Sequence, residues 1–202
     1  MARHHSISDK PESLVLIRSF IAVDIPDIVK TNIENSLNSL KHEIHGVKWI
    51  ESENMHLTLK FLGNVEPKRL DFLKGKLAQA LKGRTKFSII FSKLDAFPDM
   101  KNPKVLWLGI ANGEEHLKIL AGKVEEASAE AGFQKVTRPF SAHLTLGRVR
   151  NGQRLGEDQA KALARLDFNL DSLIMVERVT LYQSLLTSKG PNYESLQRID
   201  LI

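Results

Sequence analysis

Residues 55–65 read MHLTLKFLGNV and residues 142–150 read AHLTLGRVR, so the tetrapeptide HLTL stands twice in the chain, at 56–59 and at 143–146. In an extended strand successive side chains alternate between faces. His56 and Thr58 therefore share one face while Leu57 and Leu59 fill the other. His143 and Thr145 do the same against Leu144 and Leu146. Each copy presents an imidazole and a hydroxyl about 7 Å apart along its strand. With 7 His in 202 residues, and the Thr and Leu content of the chain, one HLTL is expected about 0.005 times, and two by chance on the order of once in 10⁵. Strand burial accounts for part of the leucine, so the paired His-x-Thr cores carry the signal. A single His at a strand start is more often structural, and a single Thr there is a good strand former. Packing alone gives no reason for the same four residues to recur with His leading.

Outward from these motifs the chain reads as a mixture of strands and amphipathic helices. LVLIRSFIAVDI (14–25) predicts a buried strand, and Pro26 sits where a first helical turn accepts it. Val29, Ile33, Leu37, Leu40 and Ile44 then mark one face of a helix. VKWI (47–50) is a short strand before HLTLKFLG (56–63). Pro67 opens a second helix with Leu70, Leu73, Leu77 and Leu81 on one stripe, and Gly83 lies just past its end. FSIIFSKLDAF (87–97) and VLWLGI (105–110) are strands joined by a Pro-rich turn. Leu117, Leu120, Val124, Ala127 and Ala131 stripe a third helix, and a weaker one covers Glu157–Leu166. SLIMVERVTLYQSLL (172–186) and YESLQRIDLI (193–202) close the chain as strands. The order predicts an α+β sandwich of sheets with outer helices. In each half an amphipathic helix, a short connection and an HLTL strand follow one another, a faint internal echo of two related lobes.

Composition narrows the chemistry. At 202 residues the chain fits one compact domain or two small lobes sharing a core. No apolar run approaches the roughly 18 residues that a membrane helix needs. Residues 1–13 are polar and lack an apolar h-region, so they read as a loose tail rather than a secretory signal. With no cysteine there is no disulfide, thiolate nucleophile or Cys-based metal site. That composition fits a reducing compartment, and the expected location is cytoplasmic. The formal net charge of +5 suits a polyanionic partner but is common among proteins that bind none.

Two imidazoles with two hydroxyls suit phosphodiester displacement. Histidine has the side chain whose ordinary pKa lets it give or take a proton near neutrality. One neutral imidazole activates the attacking oxygen and one imidazolium protonates the leaving oxygen, each step typically worth about 10²–10⁴ in rate. Threonine hydroxyls hydrogen-bond the non-bridging oxygens as charge builds. Neither motif carries an Asp, Glu or Cys beside its His, which falls short of the usual three or four metal ligands. No metal and no cofactor are expected. His4 and His5 fall in the tail, His42 and His45 at the end of the first helix, and His116 in the opening of the third; all five read as structural or solvent-facing.

The paired H-x-T-x motifs resemble the signature of the two-histidine phosphoesterase superfamily. RSFIAVDIP (18–26), VKWIESENMHLTLKFLGNV (47–65), DAFPDMKNPKVLWLGI (95–110), RPFSAHLTLGRVR (138–150) and VTLYQSLLTSKGPNYESL (179–196) follow in the order of its LigT-like branch, the RNA 2′,3′-cyclic phosphodiesterases once called 2′-5′ RNA ligases. Ala142 departs from the Pro that many relatives carry before the second His. The resemblance implies one bilobal α+β domain over 14–202, its two pseudo-twofold-related lobes of mainly antiparallel sheet with outer helices set around a central cleft. It implies opening of RNA 2′,3′-cyclic phosphate ends to 2′-phosphates, with His56 as proton donor and His143 as proton acceptor, and reversible 2′-5′ joining as a secondary activity. The two identical motifs do not themselves fix that polarity.

The expected partners are RNA ends or oligonucleotides carrying a cyclic phosphate, with no membrane and the protein acting as a monomer. Thr58 and Thr145 are the expected phosphate contacts, joined by Lys60, which continues the His56 face by alternation. Arg148 and Arg150 fall on the opposite face from His143 and reach the cleft only if the strand bulges near Gly147, which glycine permits. Otherwise each is a solvated surface charge. Phe20 and Phe140 either pack in the core or stack on a base. Two competing readings stay open: an RNA- or nucleotide-binding module without turnover, and a cyclic phosphodiesterase of small nucleotides.

Overall fold

The computed structural model describes residues 15–166, 168, 173–188 and 190–202; the tail expected over 1–13 lies outside them. The apolar run after Leu14 forms β1 (Ile17–Asp24), and Pro26 caps α1 (Asp27–Lys41), which buries Ile33 and Leu37. β2 (Val47–Trp49) and a single 3₁₀ turn over Ser52–Asn54 lead into β3 (His56–Val65). Pro67 opens α2 (Pro67–Leu81), whose predicted leucine stripe is fully buried, and Gly83 follows it at φ +73°. Next come β4 (Phe87–Phe97), β5 (Val105–Asn112) and α3 (Glu114–Glu130). β6 (Leu144–Val149), α4 (Glu157–Ala164), β7 (Ile174–Val176), β8 (Arg178–Thr187) and β9 (Gly190–Asp200) complete the chain.

The strands form one curled antiparallel sheet in the order β7-β4-β5-β6-β3-β1-β8-β9, with β2 attached to β6. A single continuous sheet thus replaces the expected sandwich. It is built from two halves, β7-β4-β5-β6 and β3-β1-β8-β9, which meet where β3 pairs β6 at Leu57 and Leu144. The main core gathers Leu57 and Leu144 with the buried stripes of α2 and α3, which pack on each other. A second cluster around Leu106 and Val149 takes Leu163 from α4.

The run 172–186 is expected as one strand, and its described residues form two. β7 hydrogen-bonds β4 while β8 hydrogen-bonds β1. Burial falls on Ile174 and Val176 and then on Val179 and Leu181, so the alternation slips by one at Glu177 and the chain changes partner there.

Two register shifts decide which side chains reach the cleft. In β3, Thr58 pairs Ala22 but Lys60 pairs Ile21, so two residues of β3 answer one step of β1. In β6, Thr145 pairs Trp107 but Gly147 pairs Leu106. Each is a β-bulge, which inserts one residue and reverses the alternation beyond it. The two bulges fall at matching places, on Leu59 and Leu146 at the ends of the two HLTL motifs. Gly147 also lies under β2, where an added Cβ would come within 2.8 Å of Val47 Cγ1 and 3.0 Å of Trp49 Cε3. Gly147→Ala is expected to cost about 1–3 kcal/mol through overpacking, read as a lowered urea midpoint; an unchanged midpoint would show that β2 does not press on this bulge.

Candidate active site

The antiparallel register set by Leu57 and Leu144 puts His56 opposite Thr145 and Thr58 opposite His143, all four on the face away from the core. Cross-strand neighbours on one face lie about 4.5–5.5 Å apart at Cβ, and diagonal ones about 7–8 Å. The imidazoles therefore stand at one diagonal of a square and the hydroxyls at the other. His143 is close enough that its charge disfavours protonation of His56.

Both rings are fixed in the same way. Nδ1 of His56 lies 2.8 Å from the Asn54 carbonyl oxygen, and Nδ1 of His143 lies 2.8 Å from that of Ser141. A carbonyl only accepts, so Nδ1 carries the hydrogen in each ring. Nε2 is left as the working nitrogen, and both tautomers are held by backbone two residues upstream.

The walls differ. Phe20, 3% exposed, stacks on His56 at 4.7 Å between ring centres, and Tyr193 meets the same ring edge-on at 5.3 Å. His143 is met edge-on by Phe97 at 5.2 Å and by Trp107 at 6.0 Å. Burial is the largest influence on His56 and pushes its imidazole down to about 4, against the upward pull of the Asn54 carbonyl and the Asp24 carboxylate. Asp24 pairs His56 in the β1–β3 register and accepts hydrogen bonds from the Tyr182 hydroxyl at 2.6 Å and the Thr180 hydroxyl at 3.0 Å. Burial and that carboxylate hold the Tyr182 phenol above its ordinary range.

The basic residues do not fall as alternation predicts, and the bulges explain both departures. Lys60, expected on the His56 face, is turned to the other face with Ile21 and is 4% exposed. Its ammonium donates to both carboxylate oxygens of Glu125 on α3, at 2.8 and 2.7 Å, and to the Gln134 carbonyl at 3.0 Å. Glu125 also accepts from the Val136 backbone N–H, so Lys60 ties β3 and α3 to the segment that leads into His143.

The bulge at Gly147 turns Arg148 the other way. Arg148 pairs Val105, two residues from the Trp107 that pairs Thr145, so it shares the face of Thr145. Its charge, with that of Arg18, opposes the upward push of burial on the Tyr193 phenol. The position matching Arg148 in the first motif is Phe61, 69% exposed. Phe20, packed on His56, has no free face for a base.

Sequence reasoning missed Asp24, Phe61, Tyr182 and Tyr193. Aligning HLTLKF with HLTLGR pairs Phe61 with Arg148 and was the one available signal. Asp24 and Tyr182 become neighbours only through β1–β8 pairing. Among the described residues no three His, Asp or Glu converge as metal ligands, and no helix is long and apolar enough to cross a membrane.

Comparison with known proteins gives the family and the fold. The family model described as "LigT like Phosphoesterase" fits the chain twice in succession, over residues 24–107 and 108–193, each match containing one HLTL motif. The RNA 2′,3′-cyclic phosphodiesterase of Archaeoglobus fulgidus is 34% identical over 90% of this chain and 98% of its own length. Its Thermotoga maritima counterpart is 32% identical over 89% and 93%, and that of Bacillus subtilis 33% over 90% and 95%. Crystal structures of Escherichia coli LigT with 3′-AMP and of TT0787 from Thermus thermophilus superpose with TM-scores of 0.72 and 0.74. Each covers 92% of this chain and 98% of the other, at 23% and 22% identity, and shares the fold.

Because His56 ionises at about 4 when folded and near 6.5 when unfolded, the unfolded chain takes up its proton first as pH falls. Folded stability is therefore lost between about pH 6.5 and pH 4. The melting temperature of the wild type should fall more steeply across that window than that of His56→Gln; equal slopes would mean that the His56 ring is not shielded from water.

Proposed function

The chain belongs to the LigT-like phosphoesterase family, and on that footing we propose that His56 and His143 open RNA 2′,3′-cyclic phosphate ends as a proton-donor and proton-acceptor pair. The activity is that of an RNA 2′,3′-cyclic phosphodiesterase. The observation that carries the assignment is the quartet itself: two imidazoles, each with Nδ1 engaged by a backbone carbonyl, stand diagonally over one small area of sheet with a hydroxyl between them on either side.

In the proposed step a water oxygen attacks phosphorus in line with the 3′ oxygen. His143 Nε2 takes the proton from that water. The P–O3′ bond breaks, and His56 Nε2 delivers its proton to the departing 3′ oxygen, which leaves a 2′-phosphate and a 3′-hydroxyl. Thr58 and Thr145 flank the perpendicular direction, where the non-bridging oxygens lie, and Arg148 supplies positive charge from the same face. Lys60 supports the site through Glu125 instead of touching the ester. The polarity follows the family resemblance.

Burial has a clear consequence for the donor. Burial keeps His56 neutral at pH 7, and an anionic ester beside it raises its proton affinity, so the imidazolium forms as substrate binds. Once formed, it lies against the Phe20 and Tyr193 rings, and its desolvation favours giving the proton up. Both motifs come from one chain, which supports a monomer as the working form. An RNA substrate and a cysteine-free sequence support a cytoplasmic location.

The test uses an RNA ending in a 2′,3′-cyclic phosphate, incubated with the protein in excess EDTA. A 2′-phosphate product is expected. His56→Ala and His143→Ala should each lose about 10²–10⁴ in kcat, and the double variant should lose little more than either single one, since the two act as a unit. No turnover by the wild type would favour a binding module, and loss of turnover to the chelator would bring back a metal.

A further inference from the structure

The two half-sheets use the same pairing rule on either side of the quartet. In the first, Val23 faces Leu57 and Asp24 faces His56. In the second, Leu108 faces Leu144, and the ladder continued by one step sets Gly109 opposite His143. One histidine thus has a carboxylate across the strand pair, at a Cβ separation of about 4.5–5.5 Å. The other faces a residue without a side chain, and the place is closed, because a Cβ on Gly109 would come within 2.5 Å of Ser92 Oγ.

Asp24 is held in place without being neutralised. Its Oδ1 accepts from the Tyr182 hydroxyl and its Oδ2 from the Thr180 hydroxyl, and both donors are uncharged. It makes no ion pair among the described residues. Arg178, the cation on β8 that feels its charge, is committed to Asp200, and Arg198, opposite Thr180 on β9, is exposed. With Nδ1 of His56 engaged by the Asn54 carbonyl, Asp24 acts on the ring by charge alone.

The rest of the ring's surroundings supplies no second anion among the described residues. Lys30 on α1 opposes a proton on His56 and is paired with Asp27. His143 on the other strand of the seam opposes it too. Burial holds the Tyr182 and Tyr193 phenols above their ordinary range and so neutral, and Arg18 and Arg148 act on Tyr193. A proton donor must first hold its proton, and enclosure by Phe20 and Tyr193 works against that. An acceptor has no such need, and His143 borders a cavity of about 620 Å³.

We propose that Asp24 is a positioning residue for the proton-donor step: set opposite His56 and held by two hydroxyls, its charge keeps the ring protonated within its aromatic walls while the ester is bound. The inference rests on the donor role of His56 in the cyclic phosphodiesterase reading. It adds a physical reason for the first histidine, and not the second, to be the donor.

The experiment follows kcat and KM against pH on an RNA ending in a 2′,3′-cyclic phosphate, for the wild type, Asp24→Asn, Asp24→Glu and Tyr182→Phe. An opposite charge at this range changes a neighbour's proton affinity by about tenfold or more. In Asp24→Asn the alkaline fall of kcat should therefore move to lower pH by about one unit. That variant should be about tenfold slower than the wild type at alkaline pH and should approach it as the pH is lowered. Its KM should stay level or fall, since the carboxylate repels an anionic ester. Asp24→Glu should keep part of the alkaline activity. Tyr182→Phe removes a hydrogen bond from the same web but keeps the charge, so its alkaline limb should stay in place. Circular dichroism should be the same for all four proteins. In nitrogen NMR of the free protein, the His56 ring of Asp24→Asn should begin to take up its proton about one pH unit below that of the wild type.

A loss in Asp24→Asn that is equal at every pH, or a limb that moves as far in Tyr182→Phe, would overturn the inference while the phosphodiesterase stood. So would a His56 ring that titrates alike in both proteins. A gain over the wild type at acid pH would make His56 the acceptor and overturn the donor role together with this one. No turnover by the wild type would remove the parent reading and this inference with it.

Discussion

The whole arrangement depends on one backbone pairing, Leu57 against Leu144, where the two half-sheets meet. A β-strand has a side-chain period of two, so a slip of either strand by one residue at this seam would send that strand's His and Thr into the core and bring its two motif leucines to the surface. Both leucines are fully buried, and the penalty for exposing them is what holds the register. The alternation of Leu with His and Thr is therefore one device with two uses. The same four-residue phrase locks the lobes together and sets the imidazoles at opposite corners.

Much of this was legible in the sequence because it rests on local periodicity. The helical stripes of α2 and α3, the Pro-initiated helix starts and the alternating faces of the HLTL strands all reappear in the fold. Alternation failed where a residue is inserted into a strand. Simple counting assigns Lys60 to the cleft and Arg148 away from it, and the two bulges exchange them. Only Gly147 hinted at such a shift, because a glycine inside a strand marks a bulge or a close backbone approach; it does both here. The bulge after Thr58 has no glycine and left no trace. Asp24, Tyr182 and Tyr193 were invisible for another reason, since pairing across β1, β8 and β9 brings them to His56 and periodicity within one strand carries no information on partners.

The two halves are alike in backbone and unlike in surroundings. Each HLTL strand fixes its imidazole through the carbonyl two residues before it, and each is followed by a bulge. The first half encloses its histidine with Phe20, Tyr193 and Tyr182 and backs it with Asp24. The second leaves its histidine beside an open cavity. One repeated motif thereby stands in two different surroundings, and in the first of them burial lowers the proton affinity of His56. The position after each bulge diverges in the same spirit, with a cation at Arg148 and an aromatic at Phe61.

The central claim, that both imidazoles address one phosphorus, is best tested by nitrogen NMR of the histidine-labelled protein during titration with a nucleoside 2′-phosphate. Nε2 of His56 and Nε2 of His143 should shift together on a single binding curve with one ligand per chain, while both Nδ1 atoms keep their hydrogens. Movement of only one ring, or two curves with separate affinities, would place the histidines at different sites and contradict the account.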